Sequence, residues 1–365
     1  MSDIQRVTMP KWGLSMESGK ITEWLVKPGD TIAEGDPICE IDTDKIAGEL
    51  ESTWDGTVRA LVVDVNEDVP VGGTIAVVAP PEVSDDDISA VVAQAREQLA
   101  SGAVEDESGP KIATVKVDGR QISYASLGEG DETPIVFIHG YGGDKNSWLF
   151  VQEPVATNRV TYALDLPGHG ASSKDVGDGS LGTLARTVLG FLDEIGVSKA
   201  HLVAHSMGGA VAVMAAGHSP ERVVSLTLIS PAGFGPEINS SYINGFATAE
   251  TRRELKPHLQ QLFADPGLVT RQLIDDLLKY KRLDGVDEAL RQLSATLTSE
   301  GLDVRSDFGR YTGKAGVVWG ADDRIVPVSN ASSLNDVKVL DGVGHMAHME
   351  SPQHVVAAIR DATSV

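Results

Sequence analysis

"LVAHSMGGA", Leu202–Ala210, carries the pattern on which the fold turns. An apolar run that stops at a serine and continues through two glycines reads as a strand turning sharply into a helix. Gly208 and Gly209 let the helix start close to the strand, and the turn lifts the Ser206 hydroxyl above the sheet. The usual G-x-S-x-G has Ala204 in its first place here, a small departure because a methyl is still small. A serine hydroxyl is a weak nucleophile at neutral pH, so this reading demands a base and an acid elsewhere in the chain.

On both sides of the turn, β-rich runs alternate with helical ones. "PIVFIHG", "RVTYALDLPG", "KAHLVAHS", "VVSLTLIS", "AGVVWG" and "VKVL" read as strands. Between them "SLGTLARTVLGFLDEIG" sets Leu181, Leu184, Ala185, Val188, Leu189, Leu192 and Ile195 on one helical stripe. Such alternation predicts a mostly parallel sheet covered by helices. Ahead of it, "ATVKVDGRQISYASLG" is two strands joined by Asp118-Gly119, a hairpin signal. Parallel sheets place their chemistry just past the strand ends. "WGADDRIVP" puts Asp323 there, after the strand ending at Trp319, and "DGVGHMAHME" puts His345 there. The expected roles are nucleophile for Ser206, proton carrier for His345 and imidazole orienter for Asp323. Asp322 competes as the acid, though the spacing to Pro327 favours Asp323; His348 competes as the base and is read as packing. The backbone N–H groups of Tyr141, in "HGYGGD", and of Met207 are the expected oxyanion donors. His139 and His205 are expected to be structural.

These landmarks, with "DLPGHGASS", "AHSMGG" and "GVGHMAHMESP", resemble the α/β-hydrolase family across residues 111–365. The resemblance implies a helical cap over about Phe234–Arg305, with "ELKPHLQQLF", "VTRQLIDDLLKY" and "DEALRQLSATL" as helices.

The front of the chain follows a different rule. "GKITEWLVKPGDTIAEGDPICEI" from Gly19 matches "GTVRALVVDVNEDVPVGGTIAVV" from Gly56 at an offset of 37 residues without a gap. Ile21 meets Val58, Leu25 meets Val62, Ile32 meets Val69, Gly35 meets Gly72 and Ile41 meets Val78. The matched apolar residues are mostly β-branched and are separated by turn residues. Two copies of one strand unit bury each other's apolar faces, which predicts an all-β flattened barrel over residues 1–80. "DTDK", Asp42–Lys45, is the hairpin tip between the copies.

"MPKWGLSMESGKITEWLVKPGD", "EGDPICEIDTDK" and "GTV" resemble a lipoyl domain of 2-oxo-acid-type dehydrogenase complexes. In that family the tip lysine is amide-linked to lipoic acid, which implies Lys45. Biotin carriers share the fold, but their lysine usually sits between methionines; Asp44 and Ile46 flank it here. Residues 81–110 read as an acidic linker with one short amphipathic helix capped by Ser84. There is little room in it for a subunit-binding domain.

The net charge is −23, with −9 in residues 1–80 and −7 in residues 81–110. Such a field repels phosphate backbones, so no nucleic-acid partner is expected. No apolar run approaches a membrane span, the N-terminus lacks a secretory pattern, and a cytoplasmic protein is expected. One cysteine and no close histidine pairing leave no expected metal site.

The fusion resembles the dihydrolipoamide acetyltransferase components of bacterial acetoin-cleaving dehydrogenase systems. His-x-x-x-Asp-Gly, the mark of ordinary acyltransferase components, is missing: Glu51, Thr114, Tyr280 and Val337 stand where its histidine would be. The resemblance implies acetyl transfer from lipoyl-Lys45 to coenzyme A through a serine acyl-enzyme. It also implies a thiamine-diphosphate-dependent acetoin dehydrogenase component, dihydrolipoamide dehydrogenase and a lipoate attachment enzyme as partners. Arg252, Arg253, Lys256, Lys281 and Arg282 are cap residues able to meet coenzyme A phosphates or to form a solvated helix face. A hydrolase using water and a docking module without chemistry are the alternatives.

Overall fold

The computed structural model describes residues 4–10, 16, 18–42, 47–101, 109–299 and 302–364. The chain forms two compact units, Met1–Pro110 and Lys111–Val365.

The first unit contains β1 (Gln5–Thr8), β2 (Ser18–Trp24), β3 (Thr31–Ile32), β4 (Pro37–Asp42), β5 (Ala47–Glu51), β6 (Gly56–Leu61), β7 (Asp68–Pro70) and β8 (Thr74–Ala79), then helix α1 (Asp85–Ser101). Two four-stranded antiparallel sheets result, in the orders β1-β8-β6-β3 and β5-β4-β2-β7. The sequence duplication is repeated in the hydrogen bonding. Ile21 pairs with Ile41 and Val58 with Val78; Trp24 pairs with Cys39 and Leu61 with Ala76. The copies exchange their short strands: Gly19 pairs with Val69 of the second copy, and Gly56 with Ile32 of the first. Even the irregularity recurs, between Ile21 and Glu23 and between Val58 and Ala60. Each copy thus completes the other's sheet, and neither has a closed core alone. Lys45 falls in the connection 43–46 and lies outside the described residues; the paired ends Asp42 and Ala47 bracket it.

The helix of the acidic stretch forms and packs on this unit. Ile88 and Ala95 join its core, with Val91, Val92 and Leu99 against it. Every residue of β8 is buried, because alternate side chains face the barrel interior and the helix. Arginines fasten the contact: Arg59 donates to the Pro80 and Val83 carbonyls and to Asp85, and Arg96 donates to the Val62 carbonyl.

The second unit runs through β9 (Lys111–Val117), β10 (Arg120–Leu127), β11 (Glu132–Ile138), α2 (Leu149–Gln152), β12 (Arg159–Leu164), α3 (Leu181–Glu194), β13 (Ala200–His205), α4 (Met207–His218) and β14 (Val223–Ile229). Five helices follow: α5 (Ser240–Thr248), α6 (Arg252–Leu259), α7 (Arg271–Lys281), α8 (Val286–Leu297) and α9 (Arg305–Arg310). β15 (Lys314–Gly320), β16 (Val337–Leu340), α10 (Ala347–Glu350) and α11 (Pro352–Thr363) complete it. Its eight strands take the order β16-β15-β14-β13-β11-β12-β10-β9, with the Asp118-Gly119 hairpin antiparallel and β11 through β16 parallel. One sheet face packs against α3, α4 and the helices after β14; the other packs against Trp148, Val355 and Ile359. The three expected helices between β14 and β15 form as α6, α7 and α8; α5 and α9, whose sequences have weaker periodicity, form as well. Among the described residues, no helix is long and apolar enough to cross a membrane.

His348 is fully buried, with neither ring nitrogen hydrogen-bonded. Its ring lies 4.8 Å from Trp148 and 4.6 Å from His205, centroid to centroid. Burial pulls its pKa down to about 3.

Two outcomes follow. Ala95→Asp places a charge in the helix seat and costs about 2 kcal/mol or more. Amide exchange across β8 in the full chain should then accelerate, while that of β13 stays unchanged. An unfolded chain protonates His348 below about pH 6.5 and the folded chain does not, so stability falls as pH drops from about 6.5 toward 3. His348→Phe keeps the ring stack and removes the proton. Calorimetry should find a shallower loss of melting temperature between about pH 7 and 4.5; an unchanged slope assigns the acid loss to other groups.

Candidate active site

The parallel register brings several strand ends level. Ala204 is paired with Ile138 on one side and Leu228 on the other, Ile229 with Val318, and Gly320 with Leu340. The loops that carry Tyr141, Ser206, Asp323 and His345 all leave from this edge.

Ser206 occupies the turn between β13 and α4 with φ +53° and ψ −118°. A non-glycine residue in that conformation stores roughly 1–3 kcal/mol of strain. The surroundings impose it. The Ser206 N–H donates to the Ile229 carbonyl at 3.0 Å, and its own carbonyl accepts from Gly209, Ala210 and Ala232. A Cβ on Gly208 would lie 2.4 Å from the carbonyl oxygens of Ile138 and His139, and one on Gly209 would lie 2.7 Å from Pro231. The helix therefore starts against the neighbouring backbone, and only glycine permits it.

His345 is held from three directions. Its Nδ1–H donates to Asp323 Oδ2 at 2.7 Å. Its backbone N–H donates to the Leu262 carbonyl at 2.8 Å, and its carbonyl accepts from His205 Nε2 at 2.9 Å. Asp323 turns its other oxygen, Oδ1, to the N–H groups of Ile325 and Val326 at 2.8 and 2.9 Å. That leaves the carboxylate one orientation and the imidazole one tautomer, with Nε2 as the free ring position. Asp322 is exposed and His348 is sealed in the core, so the structure pairs Asp323 with His345 and neither competitor.

The loop after β11 lies across the nucleophile turn. A Cβ on Gly140 would be 2.7 Å from His205 Nδ1 and 3.1 Å from the Ser206 Cβ. The N–H groups of Tyr141 and Met207 have no acceptor among the described residues. Two histidines shape this loop. His139 donates from Nδ1 to the Gly140 carbonyl and accepts at Nε2 from Leu166 N–H. His169 accepts at Nε2 from Gly142 N–H at 3.1 Å. Burial lowers the pKa of both, keeping Nε2 available as an acceptor. His205 is likewise held neutral by burial.

The helices after β14 roof the site. The Tyr141 hydroxyl donates to the Leu290 carbonyl of α8 at 2.9 Å, and the Phe246 ring of α5 would lie 2.5 Å from a Cβ on Gly142. Ser206 is 8 % exposed and His345 2 %, so both side chains are under cover, where hydrogen bonds to charge strengthen. Of the five cap cations, Arg252 pairs with Asp275, and Lys281 is buried, donating to the Phe246 and Ala247 carbonyls at the end of α5. Arg253, Lys256 and Arg282 are exposed.

Sequence reading passes over His169, Phe246 and Glu350, which shape the site through tertiary contacts that no spacing signals. Glu350 accepts from the Gly344 N–H, next to His345. Among the described residues, no group of three or more His, Cys, Asp or Glu side chains is placed to hold a metal ion. A serine on a strained turn, an imidazole locked by a carboxylate and two free N–H groups together can perform acyl transfer.

Comparison with known proteins agrees with both halves. The chain matches the alpha/beta hydrolase fold family over residues 133–352 and the family described as biotin-requiring enzyme over residues 5–78. Among solved structures, a bacterial membrane phospholipase A superposes with a TM-score of 0.62 at 26% identity, over 76% of this chain and 98% of that one. The dihydrolipoyllysine-residue acetyltransferase component of the acetoin cleaving system of Pseudomonas putida is 45% identical over 361 residues, covering 97% of each chain. Its counterpart from Cupriavidus necator is 44% identical, over 97% of this chain and 96% of that one. With the carrier fold, the hydrolase fold and near full-length identity in one polypeptide, the chain belongs to the family of dihydrolipoyllysine-residue acetyltransferase components of acetoin cleaving systems.

Proposed function

We propose that this protein moves an acetyl group from a lipoyl-lysine thioester to the thiol of coenzyme A, with Ser206 as the relay. The observation that carries the reading is the Asp323–His345 hydrogen bond at the strand edge from which the strained Ser206 turn also leaves. In this reading residues 1–80 are the carrier, 81–110 an acidic connector with its helix, and 111–365 the transfer domain with a cap at about 234–305.

Lipoate is assigned to Lys45. The fit rests on the described strands: β4 and β5 close as a hairpin with Asp42 opposite Ala47, and the four residues between them include one amine. When bound, the lipoyl group supplies the dithiol on which acetyl arrives as a thioester. The chain's own residues do the rest. Ser206 Oγ attacks the thioester carbonyl carbon as its proton passes to His345 Nε2. The carbonyl oxygen, now negative, accepts from the Tyr141 and Met207 N–H groups; each such donor is worth about 10²–10³ in rate. The carbon–sulfur bond breaks, and His345 returns the proton to the leaving sulfur. The coenzyme A thiol then gives its proton to His345 and attacks acetyl-Ser206, and Ser206 leaves as the hydroxyl. Asp323 steadies the imidazolium in both halves. Covalent tethering raises the carrier's local concentration toward the millimolar range, on the order of what short linkers give.

The family places the chain in a multienzyme system. The acetyl group comes from a thiamine-diphosphate-dependent acetoin-cleaving enzyme, dihydrolipoamide dehydrogenase reoxidises the dithiol, and an attachment enzyme installs the lipoate.

Acetyl-dihydrolipoamide and coenzyme A, given to the lipoylated full chain, should yield acetyl-coenzyme A. Ser206→Ala should lower the rate by about 10³-fold or more; retained activity moves the chemistry to another residue. Free acetate as the main product makes water the acceptor, and no turnover by folded, lipoylated protein leaves a docking role. Lys45→Arg should lose the lipoyl mass increment yet still turn over the free substrate.

A further inference from the structure

His345 sits in the loop between β16 and α10, and that loop is tied to its own sheet, where the Val343 carbonyl accepts from Asp322 N–H at 2.9 Å and the His345 carbonyl from His205, and also to the cap. The run just after α6 supplies the ties to the cap. The Leu262 carbonyl accepts from His345 N–H at 2.8 Å. One carboxylate spans both segments: Glu350 Oε1 accepts from the Gly344 N–H at 3.0 Å, and Oε2 accepts from the Ala264 N–H at 2.8 Å. The approach is tight, since a Cβ on Gly344 would lie 2.6 Å from Ala264 N and 2.9 Å from the Leu262 oxygen.

We infer that Glu350 is a positioning residue for the transfer reaction, whose carboxylate holds the loop carrying His345 in register with the cap so that the imidazole meets Ser206. Asp323 orients the ring but cannot place the backbone beneath it. The backbone is placed by Leu262, by His205 and by the Gly344 N–H that Glu350 holds. A carboxylate suits the position because both partners are N–H donors and both oxygens are acceptors. The carboxyl group is half-buried; burial pushes its pKa up, and the N–H groups of Ala264, Gly344 and Met346 oppose that. The run just after α6 is thus bonded directly to the loop that carries His345.

The inference rests on Ser206 and His345 acting as proposed, and the experiment separates the two. A fluorophosphonate reacts with a serine activated by its histidine, and intact mass of the full chain reads the rate without any acetyl substrate. Wild type should label once, and Ser206→Ala should not. Glu350→Ala should label about 10–100-fold more slowly, because a displacement near 1 Å costs about that much. Its kcat for acetyl transfer should fall about as far, while KM stays within about twofold of wild type. Glu350→Gln keeps one acceptor and should fall between, and it carries the test should the alanine variant not fold. Ile359→Ala, in the core on the opposite sheet face, should lower the melting temperature without slowing labelling at 25 °C. Equal labelling of folded Glu350→Ala and wild type, or a defect confined to KM, overturns the positioning role. Failure of wild type to label at Ser206 overturns the nucleophile assignment, and this inference with it.

Discussion

The close crossing of α4 over the end of β11 is the constraint on which the second unit's chemistry depends. With the carbonyls of Ile138 and His139 where a Gly208 side chain would be, the helix begins at the shortest distance a backbone allows. That leaves Ser206 a single residue in which to reverse direction, and the strained φ of +53° is the consequence. Strain here is the local cost of lifting a hydroxyl out of the sheet, and it is offset by the buried packing of β13 and α4. The same crossing points the start of α4 at the site, so the Met207 N–H lies beside the nucleophile without needing its own acceptor.

Around that fixed point the polar groups are organised so that each side chain has one available state. Asp323 spends one oxygen on two backbone donors and the other on His345. His139 and His169, made neutral by burial, hold the loop of Tyr141 through ring nitrogens acting as acceptors. His205 ties β13 to the His345 carbonyl. The histidines held neutral by burial thus frame the loop and turn around Ser206.

The first unit solves a different problem. Two copies of a strand unit, each too small for a core, trade short strands so that Gly19 and Gly56 bond across the duplication. The doubly closed sheet pair holds β4 and β5 in register up to Asp42 and Ala47. Helix α1 adds a second layer over β8. The acidic stretch is thus partly structural.

Much of this was legible in the residues. The matched β-branched residues and the 37-residue offset predicted the flattened barrel, and strand pairing preserves that offset pair for pair. The alternation of apolar runs with a 3.6-period stripe predicted the parallel sheet, and the small residues after Ser206 predicted its turn. These are local signals: side-chain size, branching and spacing act within a few residues, so a linear string carries them. What the string does not carry is which distant groups meet. Spacing already favoured Asp323 and read His348 as packing, but the Asp323–His345 bond itself, the ring partner of His348, the burial of Lys281 beneath α5 and the bridge from Glu350 to Ala264 were decided only in the tertiary structure. Each depends on segments tens to hundreds of residues apart arriving within 3 or 5 Å, a matter of three-dimensional packing to which neighbours in sequence contribute nothing.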